Sequence, residues 1–311
     1  MTASPTTASL TVSPADSSAP LFRRLAIVGP GLIGSSILRR ARRDGTIAAE
    51  LVACDIDPDV CRRVAELDLA DEVEQDPMRA VADADCVILC VPVGAVAEVG
   101  TRILPAMKPG AILSEVGSTK VSILTAITPA LRADVPFVPT HPMAGTEHSG
   151  PDAGFATLFD DRWCLLTPLP DTPPAATDLI EQMWHRMGAR TRVMDPAHHD
   201  RVCAIVSHLP HLLAFTICGT ADDLADETRS EVLDFAASGF RDFTRIAASD
   251  PVMWRDIFLN NREALLEMLA RFTEDAQAMA RAIRWGDEAF IVDRIERGRR
   301  IRRSLIENRQ A

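Results

Sequence analysis

The stretch RLAIVGPGLIGSSILRRARRDG, residues 24–45, decides the fold. An apolar run predicts a buried strand, and three glycines follow it in Gly-x-Gly-x-x-Gly spacing at Gly29, Gly31 and Gly34. The residues after them have the apolar period of a helix. Such glycines allow a tight turn, let the backbone approach a pyrophosphate and let the helix pack on the strand. The arrangement predicts a dinucleotide-binding unit, with glycines that serve only helix packing as the alternative.

Asp55 provides the second part of the cofactor signal. It ends the strand pattern ELVACDID, residues 50–57, twenty-one positions after Gly34, where a carboxylate can accept both ribose hydroxyls. A carboxylate at this place repels a 2′-phosphate, which favours NAD over NADP. Arg62 and Arg63 follow on the next predicted helix and leave some NADP use open. The predicted cofactor-binding residues are Gly29, Gly31, Leu32, Ile33, Gly34 and Asp55.

Apolar runs and helical periods alternate as far as residue 195. Further strands are predicted in ADCVILCVP, AILSEV, VPFVPTH, RWCLLTP and RTRVM. Continuous Val, Ile, Leu and Cys runs separated by helices are typical of a parallel sheet covered on both faces. After Asp195 only long helical patterns follow. We therefore predict a tail without structure over 1–22, a Rossmann-type, doubly wound and mainly parallel α/β domain over 23–195, and an all-helical domain over 196–311.

The composition narrows the class of protein. The 311 residues carry a formal net charge of −11, which argues against a nucleic-acid partner and against an anionic membrane surface. No uninterrupted apolar run approaches the ~18–20 residues that span a bilayer, and the first 22 residues lack the features of a signal peptide. Seven cysteines without a Cys-x-x-Cys pair indicate a reducing, cytoplasmic location.

Polar residues follow two of the later strands. SEVGSTK, residues 114–120, ends one strand, and THPMAGTEHSG, residues 140–150, ends the next. Parallel strands deliver such residues to one edge of the sheet, the edge that holds the cofactor. His141 suits a general base because an unperturbed histidine has a pKa of ~6.5. Ser118 is either its partner or the cap of the following helix.

A cluster of histidines, VSHLPH at residues 206–211, lies inside a helical pattern. Pro210 breaks the helical hydrogen-bond ladder, so we expect a kink. Helical spacing places His208 on another side from a stripe formed by four residues: His199, Cys203, Ser207 and His211. A zinc site is the alternative for these histidines. Without a cysteine pair or a His-Glu-x-x-His motif we predict no metal.

Two arginines stand in GFRDFTRIAASDPVMW, residues 239–254, among many apolar neighbours. Arginine is the usual side chain for bidentate capture of a carboxylate, which makes Arg241 and Arg245 candidates for substrate binding. A structural ion pair with Asp242 or Asp250 is the alternative.

A long amphipathic pattern, ALLEMLARFTEDAQAMARAI, occupies residues 264–283. Its apolar stripe is more than a modest helical domain can bury alone. We therefore predict a homodimer formed through the helical domain.

These clusters, in this order, resemble the prephenate/arogenate (cyclohexadienyl) dehydrogenase family. The resemblance rests on GPGLIGSS, EVGSTK, HPMAGTEHSG, VSHLPH and GFRDFTRIAASDPVMW, and it covers roughly residues 23 to 290. It implies oxidative decarboxylation of prephenate or arogenate to 4-hydroxyphenylpyruvate or tyrosine, with hydride transfer to NAD, in tyrosine biosynthesis. Two departures are Glu115, where members often carry aspartate, and Pro30, which removes a backbone N–H from the phosphate loop.

The same resemblance implies the roles of individual residues. His141 is the catalytic hydrogen-bond acceptor, Ser118 its partner and Arg245 the residue that binds the ring carboxylate. The residues implied to line the substrate side, or to lie close to it, are Thr146, Glu147, Ser207, His211 and Trp254.

Two other functions compete with this interpretation. Another NAD(P)-dependent dehydrogenase with a helical dimer domain, such as a 3-hydroxyacid dehydrogenase, generally needs a lysine in that domain, and residues 196–311 contain none. A non-catalytic, cofactor-sensing regulator predicts damage to at least one cluster, whereas all are intact. The choice between prephenate and arogenate stays open, because His211 favours the keto acid and Glu147 can serve an ammonium group.

Overall fold

The computed structural model describes residues 19–224, 231 and 234–307, which form two compact units. The sheet unit contains the chain up to His199 together with Ala248–Asn260. The helical unit contains Asp200–Ala247 and the chain from Asn261 onwards. Most of the predicted tail lies outside the described residues, and Phe22, at its end, already belongs to the first strand. The division at residue 196 stays a prediction.

The sheet unit is built on one eight-stranded sheet in the order β3-β2-β1-β4-β5-β6-β7-β8. From β1 the chain winds outward to β3 and then crosses back to β4 on the other side, which is the doubly wound arrangement. All neighbouring strands are parallel except β6 and β7. The strands are β1 Phe22–Val28, β2 Ala48–Cys54, β3 Glu72–Glu74, β4 Cys86–Leu89, β5 Ile112–Glu115, β6 Phe137–Pro142, β7 Trp163–Leu166 and β8 Arg190–Val193. The predicted mainly parallel sheet is confirmed.

Twelve helices longer than a single turn are described. They are α1 Leu32–Asp44, α2 Pro58–Glu66, α3 Pro77–Val81, α4 Val93–Ile103, α5 Val121–Ile127, α6 Pro174–Arg186, α7 Pro196–Cys203, α8 Leu209–Asp222, α9 Ser238–Thr244, α10 Pro251–Asn260, α11 Arg262–Trp285 and α12 Glu288–Glu307. The central strands β1 and β4 are almost fully buried, as their continuous apolar sequences predict.

One strand, β3, was not predicted from the apolar runs in the sequence. Its sequence, EVE, has two acidic residues and lies at the edge of the sheet, where a strand needs only one neighbour. Glu72 forms an ion pair with Arg24 on β1. The position of β3 therefore depends on tertiary contacts. A segment this short and acidic has no apolar period to detect.

The antiparallel pairing of β6 with β7 follows from the connection between them. A parallel pair needs a crossover, usually a helix, whereas an antiparallel pair does not. Residues 143–162 contain only one short 3-10 turn, Pro151–Ala153, and no longer helix. The chain therefore returns along the neighbouring strand in the opposite direction.

A π-helical turn, Ala204–His208, interrupts the α-helical ladder just before α8 and Pro210, and the kink itself stays a prediction. Proline has no N–H for the helical ladder, and a wider turn accommodates this defect. The helical stretch Pro196–Asp222 has 27 residues and, by length and composition alone, is long and apolar enough to cross a membrane. The search for uninterrupted apolar runs in the sequence did not detect this stretch. The core helix of a folded domain can have the same length and apolar composition.

Candidate active site

The glycine loop lies where β1 meets α1. Gly29 has φ +88°, a conformation that favours glycine. A Cβ on Gly34 would lie 2.5 Å from the carbonyl oxygen of Gly29 and 2.9 Å from the side chain of Ile27, so the helix can approach the strand only with glycine there. A Cβ on Gly31 would meet no described atom within 4 Å, which leaves the open space that a pyrophosphate needs.

Asp55 lies directly after β2, beside the glycine loop, because Cys54 pairs with Val28 across the two strands. One of its carboxylate oxygens accepts the backbone N–H of Asp57 at 2.9 Å. Burial raises the pKa of Asp55, although the hydrogen bond from Asp57 opposes the shift. The carboxylate form is therefore lost at a higher pH than in an exposed aspartate. In that form the side chain can accept ribose hydroxyls.

Arg62 and Arg63, the two arginines that could favour NADP, both form ion pairs with carboxylates. Arg63 donates to Asp152 at 2.7 Å and to Glu66 at 2.9 Å. Arg62 donates to Asp59 at 2.7 Å. A 2′-phosphate would have to compete with these carboxylates, so the surroundings of Asp55 fit a free ribose better than a phosphorylated one.

A fully buried ion pair joins the ends of β5 and β6. Lys120 binds a carboxylate oxygen of Glu115, and it also donates to the carbonyl oxygen of Thr140 at 2.7 Å. The other carboxylate oxygen of Glu115 accepts the backbone N–H of Gly117 at 2.6 Å. The loop after β5 is therefore held against the residue that precedes His141.

Ser118 lies in that loop and is half-buried. The residue before the first turn of α5 is Lys120, with Val121 as the first helical residue. Ser118 is thus two positions too early to act as the helix cap, which removes the structural alternative for this residue. Ser118 lies between Gly117 and Lys120, which both bind the carboxylate of Glu115. These two contacts fix the backbone position of Ser118.

His141 is the penultimate residue of β6 and is 8% exposed. Its Nδ1 lies 2.9 Å from Nε2 of His199, a fully buried residue of α7. On the neighbouring strand β7, burial raises the pKa of the Cys164 thiol well above its usual value, so this group stays uncharged. At this edge of the sheet, the ring of His141 is thus hydrogen-bonded to the ring of His199.

The remaining candidates of the sheet unit lie around this edge or in α10. Thr146 and Glu147 are exposed in the loop after β6, and the Thr146 hydroxyl accepts the backbone N–H of His148 at 3.3 Å. Trp254 is buried in α10 against Phe258, with ring centroids 5.5 Å apart.

The helical unit brings together three other candidates. His211 Nδ1 donates to the carbonyl oxygen of Ser207 at 2.9 Å, across the π-helical turn. Burial lowers the pKa of His211, and the positive charge of Arg245 lowers it further, so the imidazole is neutral near pH 7. Arg245 is exposed at the start of a 3-10 turn. His208 is instead buried and hydrogen-bonded to Asn261 at 3.0 Å.

Sequence reasoning missed the partner of His141. His199 was placed on a helical stripe with Ser207 and His211, but no period links a residue of α7 to a strand 58 positions earlier. The buried pair of Glu115 and Lys120 was missed too, although a lysine five residues after a strand-end carboxylate is a weak signal for it.

The fold and the edge of the sheet define a class: a dinucleotide-dependent dehydrogenase with a helical second region. Two family models then identify the family. The prephenate dehydrogenase nucleotide-binding domain matches residues 37–193, and the prephenate dehydrogenase dimerization domain matches residues 195–296. The chain therefore belongs to the prephenate dehydrogenase family.

Relatives cover nearly the whole chain. Cyclohexadienyl dehydrogenase of Zymomonas mobilis is 38% identical over 288 residues, 92% of this chain and 97% of that protein. Prephenate dehydrogenase of Lactococcus lactis is 30% identical over 91% of this chain and 78% of that protein. The crystal structure of Aquifex aeolicus prephenate dehydrogenase with hydroxyphenyl propionate and NAD+ has a TM-score of 0.85 and 29% identity, covering 91% of this chain and 98% of that one.

Substitutions at two glycines should separate folding from cofactor binding. Gly34→Ala brings a methyl group to 2.5 Å from a backbone oxygen, so we expect a lower thermal midpoint and a destabilisation of about 1–3 kcal/mol. Gly31→Ala meets no described atom, so we expect a normal midpoint and a raised KM for NAD+. Thermal unfolding and steady-state kinetics of both variants test this, and a normal midpoint for Gly34→Ala contradicts the packing role.

Proposed function

We propose that this protein catalyses the NAD-dependent oxidative decarboxylation of prephenate, arogenate or both, with His141 as the group that accepts the substrate proton. The observation that carries the proposal is the position of His141, which lies almost buried at the same edge of the sheet as the glycine loop and Asp55. Membership of the family and the relatives named above support the reaction.

The substrate is a cyclohexadienyl ring with a hydroxyl at C4 and a carboxylate at C1. Nε2 of His141 accepts the hydroxyl proton, and the C4–oxygen bond becomes a carbonyl. The glycine loop and Asp55 would hold NAD+, which would supply the hydride acceptor for C4. The electron pair of the C1–carboxylate bond then enters the ring, CO₂ leaves, and the C4 carbonyl becomes a phenol oxygen that takes back the proton held by His141. The ring becomes aromatic, which makes the reaction effectively irreversible.

Arg245 is proposed to bind the ring carboxylate and Ser118 to orient the hydroxyl or the imidazole. An arginine that holds the leaving carboxylate must not bind its charge too strongly, because that charge disappears in the transition state. The exposed position of Arg245 at the start of a 3-10 turn agrees with moderate binding, since water screens an exposed charge.

Substrate preference depends on the group that meets the side chain of the substrate. Prephenate carries a keto group there and arogenate an ammonium group. A neutral His211 favours prephenate, whereas the carboxylate of Glu147 can serve arogenate. Values of kcat/KM for both substrates, each with NAD+ and NADP+, decide between them.

The protein is proposed to work as a homodimer in the cytoplasm. Large apolar side chains are exposed on the two long helices of the helical unit, in the region that matches the dimerization domain. They include Leu266, Ile283, Trp285, Val292 and Ile295. Seven free cysteines agree with a reducing compartment.

Replacing His141 should separate chemistry from cofactor binding. We expect His141→Asn to lower kcat by about 10²–10⁴-fold, the usual effect of removing a general base. The Kd for NAD+ should stay near the wild-type value, because His141 is not part of the glycine loop. Turnover above half of the wild-type rate would show that His141 is structural.

Arg245→Gln should weaken substrate binding and leave the fold intact. Loss of a charged hydrogen bond costs about 1.5–3 kcal/mol, which corresponds to roughly 10- to 150-fold in kcat/KM. Arg241→Gln is the control, because Arg241 is exposed four residues earlier and lacks the family match. KM values and thermal midpoints of both variants are compared. A lower midpoint with an unchanged KM for Arg245→Gln would instead indicate a structural ion pair.

The dimer is tested by sedimentation velocity at micromolar concentration. We expect the wild type to sediment as a dimer and a variant carrying Ile283→Glu and Ile295→Glu to sediment as a monomer, since carboxylates would be buried at the interface. Gln277→Glu, at an exposed polar position of α11, is the control and should stay dimeric. A monomeric wild type would overturn the proposed assembly.

A further inference from the structure

The hydrogen bond between His141 and His199 carries a consequence for the reaction. Nδ1 of His141 and Nε2 of His199 are 2.9 Å apart, and the rings are tilted by 60° with centroids 5.1 Å apart. This distance is that of a hydrogen bond. Two nitrogens bound to one tetrahedral Zn²⁺ at ~2.0–2.1 Å would instead be about 3.3 Å apart. Both rings are buried, so water does not compete strongly for the contact.

In such a bond one imidazole donates and the other accepts, and the two arrangements have different chemistry. If Nε2 of His199 carries the proton, Nδ1 of His141 accepts it, and the proton of neutral His141 then stands on its Nε2. That nitrogen has no lone pair left for the substrate hydroxyl. If His141 donates from Nδ1, its Nε2 keeps the lone pair. Only the second arrangement makes His141 a base towards the substrate.

We propose that His199 is a positioning residue for the reaction: its Nε2 accepts the Nδ1–H of His141 and thereby keeps the catalytic nitrogen of His141 unprotonated. This inference rests on the proposed role of His141. When His141 takes the substrate proton, it becomes an imidazolium, and its hydrogen bond to His199 becomes charge-assisted and stronger. His199 thus stabilises the cation formed in the reaction more than the neutral ground state.

Several other ionisable groups lie near the two histidines. Cys203 of α7 is buried, and its Sγ lies within 4.8 Å of a ring nitrogen of each histidine. On β5 and the following loop, Glu115 and Lys120 bind each other, and Lys120 also holds the carbonyl oxygen of Thr140. On β7, the thiol of Cys164 stays protonated because burial raises its pKa. A carboxylate at the place of His199 would raise the pKa of His141 strongly, whereas a neutral imidazole orients the ring with a smaller effect, which suits a base that works near neutral pH.

Two substitutions of His199 distinguish an acceptor from a space-filling group. His199→Leu fills the buried site without an acceptor, and His199→Gln places an amide oxygen near the position of Nε2. We expect His199→Leu to lower kcat by roughly 10–100-fold, similar to the loss caused by removing the group that orients a metal-bound imidazole. KM and the Kd for NAD+ should change less than about threefold, and His199→Gln should recover most of kcat.

The tautomer itself can be read by NMR. Selective ¹⁵N labelling of the seven histidines, with assignment from the His141→Asn and His199→Gln spectra, shows which nitrogen carries the proton. We expect the proton of His141 on Nδ1 in the wild type. In His199→Leu the share of His141 with its proton on Nε2 is expected to rise, because the acceptor of His199 is lost.

Several outcomes would overturn the role of His199. They are unchanged kcat in His199→Leu, equal losses of kcat and thermal midpoint in the Leu and Gln variants, a His141 proton on Nε2, or activity that is lost with a chelator and restored by Zn²⁺. If His141→Asn loses kcat while His199→Leu keeps it, the proposed function stands and the positioning role fails. If the wild type forms no NADH with either substrate, the proposed function fails, and the NMR experiment still decides whether His199 accepts from His141.

Discussion

The buried ion pair between Glu115 and Lys120 is the interaction on which the edge of the sheet depends. Neither side chain is exposed, and breaking such a pair by removing one partner costs about 3–5 kcal/mol because the other charge stays buried. The pair connects the end of β5 to the carbonyl oxygen of Thr140, and the Thr140 hydroxyl donates to the carbonyl of Glu115 at 2.8 Å. Thr140, the residue before the candidate base, is therefore held by one charged and one neutral hydrogen bond.

The same network explains why the loop after β5 contains glycine. A Cβ on Gly117 would lie 2.8 Å from the carboxylate of Glu115 and 2.9 Å from Ile123, so a larger residue would push the loop away. With glycine the chain folds back on the carboxylate, and Ser118 follows directly. Lys120 serves here as a structural cation, because its ammonium group binds the Glu115 carboxylate and donates to the carbonyl of Thr140.

In the helical unit, the surroundings of His211 lower its pKa and favour the neutral imidazole. His211 follows the π-helical turn and donates its Nδ1–H to the carbonyl of Ser207, a hydrogen bond that by itself raises the pKa of His211. Burial, which has the largest effect, and the nearby charge of Arg245 both lower this pKa, and the net shift is downward. A neutral His211 and a cationic Arg245 therefore offer one hydrogen-bonding group and one charge within the same unit, which suits a substrate with two different polar ends.

Sequence alone determined the features that adjacent residues encode. The strand–glycine–helix pattern around Gly29, the carboxylate Asp55 at the end of β2 and His141 at the end of an apolar strand all follow from local period and turn chemistry. Tertiary structure decided the rest. β3 exists because β2 offers an edge, β7 runs antiparallel because no helix crosses back, and His199 meets His141 because packing brings together residues 58 positions apart. Local propensity acts over a few residues, whereas a hydrogen bond between distant residues depends on the packed fold, which no single segment specifies.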